Sequence, residues 1–262
     1  MTSSRVEPAL TLRPGSTVEG ERRLAVEAAV AIEVDGLGYA VMMMTPTDLG
    51  AFAVGFMLTE RLADTAVDVI DVDVFEGEDG WIVRVTLAKR CAGRIHDRVR
   101  HRTSDTSCGL CGIAGLEQLR RPVRARPPAP QATSAALFAA LGRLRGHQPL
   151  NAETGAVHAA AACDADGHIL LACEDVGRHN ALDKLIGTLA LSATAADFLL
   201  VTSRLSFEMV DKALVGGVPM LVGVSAPTTL AVEHAREHCL TLVALARDDA
   251  MLVMHDPWAL FG

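Results

Sequence analysis

The sequence predicts an α/β fold in which a mixed α+β domain precedes a layered α/β domain. Short apolar runs alternate with amphipathic stretches of about ten residues in the second half, a pattern typical of a partly parallel sheet covered by helices. A proline cluster at residues 127–130 can continue neither a helix nor a central strand, so it predicts a linker. We therefore expect an α+β domain with a basic CxxC loop over residues 1–127 and an α/β domain over residues 128–262.

Alternation of apolar and polar residues predicts the elements of the first domain. Gly36 and Gly38 predict a turn between two strands, and Glu-Asp-Gly at 78–80 predicts a hairpin turn. Thr47 precedes an apolar-periodic stretch and is the predicted N-cap of a helix. The predicted strands span residues 24–34, 39–44, 67–75 and 81–87, and the predicted helix spans residues 48–62.

In the second domain the hydrophobic period changes between strand and helix several times. Asn180, Ser206 and Thr228 are the predicted N-caps, with Ser225 as an alternative to Thr228, and Pro227 suits a first helical position. The predicted helices span residues 134–144, 180–191, 207–214 and 228–238. The predicted strands span residues 156–163, 169–173, 198–202, 220–224, 240–245 and 251–254.

Composition excludes several classes of protein. Of the 262 residues, 50% are hydrophobic and 21% are charged, which excludes an intrinsically disordered chain. No apolar run reaches the roughly 18 residues of a membrane-spanning helix, and the first 20 residues lack the apolar core of an export signal. Six cysteines are too few for a disulfide scaffold in a chain of this length. We therefore expect a reduced, globular, cytoplasmic protein with no membrane partner.

The charge is unevenly distributed along the chain. The formal net charge is −8, but the segment from Lys89 to Arg126 holds ten basic and three acidic residues and carries +7. A general nucleic-acid binder needs a broad basic face, so an acidic chain with one basic segment argues against a nucleic-acid partner. The segment fits a local site for a compact anion, an acidic partner patch, or a solvated arginine-rich loop.

The sharpest local motif is a CxxC pair inside this basic segment, formed by Cys108 and Cys111. Such a pair can bind zinc or an iron–sulfur cluster, run dithiol exchange, or carry sulfur as a persulfide. Because the chain has no second CxxC, zinc would need histidines such as His96, His101 and His158. A redox pair normally opens a helix after a strand, and the stretch upstream is rich in arginine and serine instead.

A persulfide carrier fits this local sequence best. It needs a nucleophilic thiolate on an accessible loop in a positive field, which the flanking glycines and arginines supply. The second thiol is then placed to attack the persulfide and release its sulfur. The motif alone leaves the zinc, redox and carrier alternatives open.

A second motif concentrates seven polar residues where a predicted strand meets a predicted helix. One interpretation is an elaborate helix cap, in which Asn180 caps and Asp183 completes a pair resembling a capping box. The other is a helix N-terminus that faces an anionic ligand, with charge added by Arg178 and Lys184. The seven residues are Glu174, Asp175, Arg178, His179, Asn180, Asp183 and Lys184.

Hydroxyl and guanidinium groups also follow the predicted parallel strands. Ser203 and Arg204 follow one strand, Ser225 follows the next, and Arg247 follows a third. Because ligands of such sheets collect beyond the carboxyl ends of the strands, we expect one shared site there. The remaining histidine and cysteines that we considered are predicted to be packing residues: His158, Cys91, Cys163, Cys173 and Cys239.

Taken together and in this order, the motifs resemble the formate dehydrogenase accessory sulfurtransferase (sulfur carrier) family. The resemblance extends over residues 24–257, nearly the whole chain. The elements CGLCG and EDVGRHNALDK are specific in this order, and neither would suffice alone. The matching stretches are CGLCG at 108–112, EDVGRHNALDK at 174–184, SR at 203–204, FEMV at 207–210, SAPTT at 225–229 and residues 244–249.

The resemblance implies a sulfur-transfer function. Members of the family take persulfide sulfur from a cysteine desulfurase and pass it to the molybdenum or tungsten bis(pterin guanine dinucleotide) cofactor, which then goes to formate dehydrogenase. Cys108 would bear the persulfide, with Cys111 as its partner. The resemblance also implies a homodimer, no permanent metal, and a second domain similar in fold to cytidine deaminases. Deaminase chemistry is excluded because Ala160 stands where the H-x-E motif has its glutamate.

The cofactor would be a bound cargo with two pyrophosphates, which helix N-termini and arginines can hold. Two alternatives of other classes are a zinc-binding interaction module and a molybdopterin chaperone without sulfur chemistry of its own. From the residues, the predicted cofactor-binding set is Arg178, His179, Asn180, Ser203, Arg204 and Ser225. The resemblance adds Ala244, Leu245, Ala246, Arg247, Asp248 and Asp249.

Overall fold

The structure, a computed structural model, describes residues 2–99 and 126–262. Within these ranges the chain forms three β-sheets and seven α-helices. Strands alternate with helices from residue 198 onward, so the α/β class predicted from the sequence is confirmed. The division into domains at residues 127 and 128 stays a prediction, and the main hydrophobic core draws on residues from both sides of it.

Residues 4–25 form a two-stranded antiparallel arm that the hydrophobic pattern did not predict. β1 (Ser4–Arg13) pairs with β2 (Ser16–Ala25) along its whole length. The turn between them has Gly15 at a φ of +82°, a conformation that favours glycine. The prediction of one strand over residues 24–34 is wrong, because β2 ends at Ala25 and a separate strand begins at Ala28. Most residues of the arm are exposed, so the arm lacks a buried face.

The next sheet has four strands among the described residues and consists of two hairpins laid side by side. Its order is β4-β3-β6-β5, with β3 and β6 parallel and the other pairs antiparallel. The strands are β3 (Ala28–Val34), β4 (Leu37–Met44), β5 (Val69–Gly77) and β6 (Gly80–Leu87). The turn predicted at Gly36 and Gly38 and the hairpin turn predicted at residues 78–80 are thereby confirmed.

The larger sheet has six strands in the described part of the chain, in the order β12-β11-β10-β9-β7-β8. β9, β10 and β11 are parallel, and the flanking strands are antiparallel to their neighbours. The strands are β7 (His158–Cys163), β8 (Ile169–Asp175), β9 (Phe198–Val201), β10 (Met220–Gly223), β11 (Thr241–Ala244) and β12 (Leu252–His255).

Seven helices connect or cover these sheets within the described ranges. They are α1 (Leu49–Thr59), α2 (Gly93–Val99), α3 (Ser134–Leu144), α4 (Pro149–Thr154), α5 (Arg178–Ser192), α6 (Phe207–Val215) and α7 (Thr229–Glu237). None of the helices in these ranges is long and apolar enough to span a membrane.

The N-caps of these helices confirm some predictions and overturn others. Thr228 caps α7 as predicted, since its hydroxyl accepts a hydrogen bond from the backbone N–H of Ala231, and Pro227 precedes this cap instead of opening the helix. Ser206 lies at the N-cap of α6, but its side chain makes no capping hydrogen bond. The predicted cap Thr47 is wrong: Asp48 holds that position at the start of α1, in a left-handed conformation.

Helices cover both faces of the six-stranded sheet. Leu199 and Val201 of β9 contribute to the main core, which also contains α1 and α5. Phe198 and Leu200, on the opposite face of the same strand, pack in a second core with α3. Because β9 is buried on both faces, its sequence is a continuous apolar run. This explains why the run predicts a strand without alternation.

The crossing of α1 and α5 brings the two halves of the chain into close contact. A Cβ atom on Gly55 would lie 1.8 Å from the backbone oxygen of Asp183, and one on Gly187 would lie 1.9 Å from the backbone oxygen of Ala51. Each helix therefore offers a glycine to the backbone of the other. The two backbones come together at a distance that no larger residue permits.

Two buried lysine–aspartate pairs flank this crossing. Nζ of Lys212 on α6 lies 2.8 Å from both carboxylate oxygens of Asp183 on α5 and donates to Oγ1 of Thr59 at the end of α1. Nζ of Lys184 lies 2.7 Å from Oδ2 of Asp175 and donates to the backbone oxygen of Thr45. Lys184 and both aspartates are fully buried. Both pairs therefore link the second half of the chain to the segment around α1.

We expect Gly55→Ala to destabilise the protein. The new methyl group would overlap a backbone oxygen that cannot rotate away, and overpacking of this kind costs about 1–3 kcal/mol. Urea denaturation followed by circular dichroism measures the loss of unfolding free energy. Gly50→Ala in the same helix is the matched control, because nothing lies within 4 Å of its Cβ position. A Gly55→Ala protein as stable as the control would contradict the close packing of α1 on α5.

Candidate functional site

The candidate site lies beyond the carboxyl end of β9, where the sequence predicts it. The loops that follow β9 and β10 are joined there, because Leu205 donates its N–H to the carbonyl of Ala226 and accepts from the N–H of Thr228. Beside these loops begins α5, whose N-cap is Gly177. A Cβ on Gly177 would lie 2.5 Å from Nδ2 of Asn180, so a larger residue would displace this side chain. These elements place the start of α5 next to the start of α6.

Five titratable or polar side chains meet at this position. Nδ1 of His158, the first residue of β7, lies 3.4 Å from Oγ1 of Thr202, which follows β9. Nε2 of His179 on α5 lies 3.4 Å from Oε2 of Glu208 on α6. Glu208 also accepts a hydrogen bond from the hydroxyl of Ser206 at 3.0 Å. Side chains from two strand ends and two helix starts therefore form one polar cluster.

Arg178 brings the strongest charge to this cluster. It is the first residue of α5, and its Nε atom is buried without a hydrogen-bond partner among the described residues. A buried donor of this kind is unfavourable unless a ligand or water accepts from it. The first residue of α5 therefore offers an N–H group to a bound acceptor.

Two side chains of the cluster, Arg178 and Glu208, carry opposite charges. Burial lowers the pKa of His158, and the charges of Arg178 and His179 lower it further, so His158 is neutral at pH 7. Burial alone would raise the pKa of Glu208, but the nearby His179 and Arg178 and the hydrogen bond from Ser206 bring the net pKa below its usual value. Glu208 is therefore ionised beside the guanidinium of Arg178. The site can offer the Arg178 N–H to an acceptor such as a phosphate oxygen, and it can accept a hydrogen bond at the Glu208 carboxylate.

The polar motif at residues 174–184 divides between this site and the protein interior. Only Arg178 and His179 reach the cluster described above. Glu174 accepts hydrogen bonds from the backbone N–H groups of Leu150 and Asn151 at 2.8 Å each and so caps the short helix α4. The remaining four residues of the motif point toward α1 and the segment before it.

The interpretation of this motif as a helix cap is therefore wrong, and so is part of the ligand interpretation. Asn180 is buried in the first turn of α5 and donates through Nδ2 to the carbonyl of Met43, so it neither caps the helix nor faces a ligand. Asp183 pairs with Lys212, which removes it from any capping pair. Lys184 is fully buried against Asp175 and adds no charge to the site.

The predicted serines and Arg204 lie on the loops that border the cluster. Ser203 is buried, and its hydroxyl donates to the backbone oxygen of Arg204, whose side chain is exposed. Ser225 is half-buried, and its carbonyl accepts from the N–H of Leu245. The loops after β9, β10 and β11 are thus held together by backbone hydrogen bonds.

The terminal stretch follows β11 and lies against the end of β10. Ala244 and Ala246 are buried, and Leu245 has a φ of +51°. Arg247 turns back, so that its Nη1 donates to the carbonyls of Val224 and Ala246. The carboxyl groups of this stretch belong to two exposed residues, Asp248 and Asp249. Arg247 thus links the segments that follow β10 and β11 by hydrogen bonds, and Asp248 and Asp249 remain on the surface.

The CxxC pair, Cys108 and Cys111, lies outside the described residues, as does His101. His158, one of the histidines of the zinc alternative, contacts Thr202 in the polar cluster, and that alternative stays a prediction. His158 was predicted as a packing residue, and the structure places it half-buried at the site instead. Its position opposite Asp175, at the first residue of β7, is a tertiary feature that the alanine-rich sequence around it does not reveal.

Three of the four described cysteines are packing residues, as predicted. Cys91, Cys163 and Cys173 are buried. Burial raises the pKa of Cys163 to about 12 and that of Cys173 to about 11, so both thiols stay protonated and unreactive. Cys239 differs, since it is partly exposed and has a φ of +56°.

We expect Arg178→Ala to raise the pKa of His158, because the variant removes one of the charges that disfavour its protonated form. A pH titration of the imidazole proton resonances by NMR measures this, with His158→Gln to assign the signal. Arg204→Ala removes the same charge from an exposed side chain on a neighbouring loop and is the control. An unchanged His158 titration in Arg178→Ala would show that the guanidinium does not face the imidazole.

Comparison with known proteins gives one consistent result. The sequence model of the FdhD/NarQ family matches residues 25–260. The chain is 41% identical to the sulfur carrier protein FdhD of Variovorax paradoxus (strain S110), over 96% of each chain. It is 44% identical to the protein of the same name from Bordetella parapertussis, over 88% of this chain and 85% of the relative.

A solved structure supports the fold. The crystal structure of a Desulfotalea psychrophila protein, described as a formate dehydrogenase accessory protein, matches 98% of this chain and 99% of its own with a TM-score of 0.76. At 24% identity this likeness concerns the fold alone. From the family match and from relatives above 40% identity over most of their length, we conclude that the chain belongs to the FdhD/NarQ family.

Proposed function

We propose that this protein is a sulfur carrier that takes persulfide sulfur from a cysteine desulfurase and transfers it to the molybdenum or tungsten bis(pterin guanine dinucleotide) cofactor needed by formate dehydrogenase. Relatives named sulfur carrier protein FdhD support the transfer of sulfur. The observation that carries the cofactor-binding part is the buried Nε of Arg178 at the start of α5, which has no hydrogen-bond partner among the described residues.

The proposed reaction has two balanced steps. The thiolate of Cys108 attacks the terminal sulfur of the desulfurase persulfide, forms a new S–S bond and releases the cysteine thiolate of the desulfurase. The thiolate of Cys111 then attacks Sγ of Cys108, so that a Cys108–Cys111 disulfide forms and the terminal sulfur leaves as sulfide for the metal of the cofactor. The sulfur is reduced and the two thiols are oxidised. A cellular dithiol must afterwards reduce the disulfide.

The strand-end site is suited to the cofactor as a substrate. A pyrophosphate is a compact anion, and the N-terminus of α5 carries the positive end of the helix dipole together with the guanidinium of Arg178. The N-cap residue, Gly177, has no side chain to satisfy the first amides of the helix. Glu208, held ionised, can accept from the N–H groups of a guanine or pterin ring. The cluster thus combines acceptor and donor groups for both parts of such a ligand.

We infer that the protein works as a homodimer in the cytoplasm, with a cysteine desulfurase as sulfur donor and formate dehydrogenase as the enzyme that receives the cofactor. We infer that the basic segment 89–126, which carries +7 in a chain of −8, attracts an acidic partner or the anionic cargo. No permanent metal is needed for this chemistry.

We expect Cys108→Ala to abolish activation of formate dehydrogenase, because no persulfide can form at that position. The unmodified protein and the variant are each incubated with a cysteine desulfurase and cysteine, and the peptide that contains position 108 is analysed by mass spectrometry. Only the peptide of the unmodified protein should gain the mass of one sulfur atom. Cys239→Ser is the control, since Cys239 is the partly exposed cysteine of the described residues. Full activation by a correctly folded Cys108→Ala protein would overturn the carrier assignment.

We expect Arg178→Ala to weaken binding of guanosine diphosphate about tenfold, the effect of losing one charged hydrogen bond of about 1.5 kcal/mol. Isothermal titration calorimetry measures the change. Arg145→Ala is the matched control, because Arg145 is an exposed arginine in the turn after α3. Equal affinity in the two variants would place the nucleotide elsewhere on the protein.

A further inference from the structure

The C-terminal turn of α7 carries a cluster of metal-ligating groups that the sulfur chemistry does not use. His234, Glu237 and His238 are spaced three and four residues apart, so their side chains share one face of the helix. One ligating atom from each residue lies within 4.8 Å of the other two. The imidazole rings of His234 and His238 meet edge to face with their centroids 4.7 Å apart.

The buried histidine of this cluster is oriented from behind. Nε2 of His234 lies 3.2 Å from Oδ1 of Asp211 on α6. Asp211 is in turn held by both terminal nitrogens of Arg61, each at 2.7 Å. A carboxylate fixed in this way holds the proton on Nε2 and leaves Nδ1 of His234 with its lone pair.

This arrangement is the outer shell that metal-bound histidines have in proteins. Such histidines donate their second ring N–H to a carboxylate, which fixes the tautomer and the ring orientation. The ring of His234 is fixed further by Phe207, whose centroid lies 4.3 Å away. Asp211 and Phe207 therefore hold the His234 ring in one orientation without an ion, so that binding an ion would order this ring little further.

The other two groups are available for binding. Glu237 is exposed, and His238 is half-buried at the C-cap of α7. The cluster thus has one buried and two accessible members, open to an ion from solvent.

We propose that His234, Glu237 and His238 form a binding site for one divalent transition-metal ion, with zinc(II) as the expected occupant. Two imidazoles and a carboxylate suit zinc, nickel and copper rather than magnesium or calcium. Three protein ligands leave a fourth zinc position for water or a ligand group. The ion would tie the end of α7, which leads directly into β11, to the Asp211–Arg61 pair on α6 and after α1.

The test uses the full chain with Cys108→Ser and Cys111→Ser, so that the CxxC thiols cannot bind the metal. After treatment with a chelator, titration with zinc chloride alone in a calorimeter should show one equivalent of zinc bound. His238→Ala in the same background should lose at least about tenfold in affinity, and Glu237→Gln should lose less. His168→Ala, which removes an exposed histidine far along the chain, should bind zinc as the parent does.

Cobalt(II) gives a second readout that a merely structural role of these residues would not move. The absorption bands of bound cobalt report nitrogen ligation, and they should be present in the parent and absent in His238→Ala. Since the test protein lacks both cysteines, its outcome is independent of the sulfur-carrier proposal. Absence of one-equivalent binding in the parent, or unchanged affinity in His238→Ala, would overturn the site.

Discussion

The crossing of α1 and α5 is the contact on which the rest of the structure depends. Two glycines let the helix backbones approach so closely that Gly55 faces the carbonyl of Asp183 and Gly187 faces that of Ala51. This approach brings Thr45 and Thr59, at either end of the α1 segment, within hydrogen-bonding distance of Lys184 and Lys212. A buried ion pair that lost a partner would leave an uncompensated charge, so the crossing and the two pairs stabilise one another.

Helix α5 contributes both to the protein interior and to the candidate site. Its inward side carries the buried pairs, while its first two residues, Arg178 and His179, face the polar cluster at the strand ends. The guanidinium of Arg178 therefore extends from the first residue of a helix that is packed along its length, not from a loop. Two of the three lysines in this arginine-rich chain are the buried ones. Each of these two ammonium groups pairs with a buried aspartate and also donates to an oxygen of the α1 segment.

Much of this architecture could be predicted from the sequence, for physical reasons that also explain the errors. Elements with one buried face or a continuous apolar run were located correctly, as for β9 and α3. The arm formed by β1 and β2 was missed because most of its residues are exposed and it has no buried face. The orientation of Asn180, Asp183 and Lys184 could not be predicted, since each has a partner in the segment around α1, more than a hundred positions away in the chain.

The metal-ligating cluster on α7 shows the opposite case, in which the signal was present in the sequence but incomplete. The spacing of His234, Glu237 and His238 places three ligands on one helical face, yet many surface helices carry such a pattern without a role. What distinguishes this one is Asp211, held by Arg61 and directed at Nε2 of His234. Those two residues come from α6 and from the end of α1, so only the fold can bring the orienting carboxylate to the ligand. A site therefore becomes recognisable when its outer shell is known, because the outer shell is what separates a prepared ligand from an ordinary histidine.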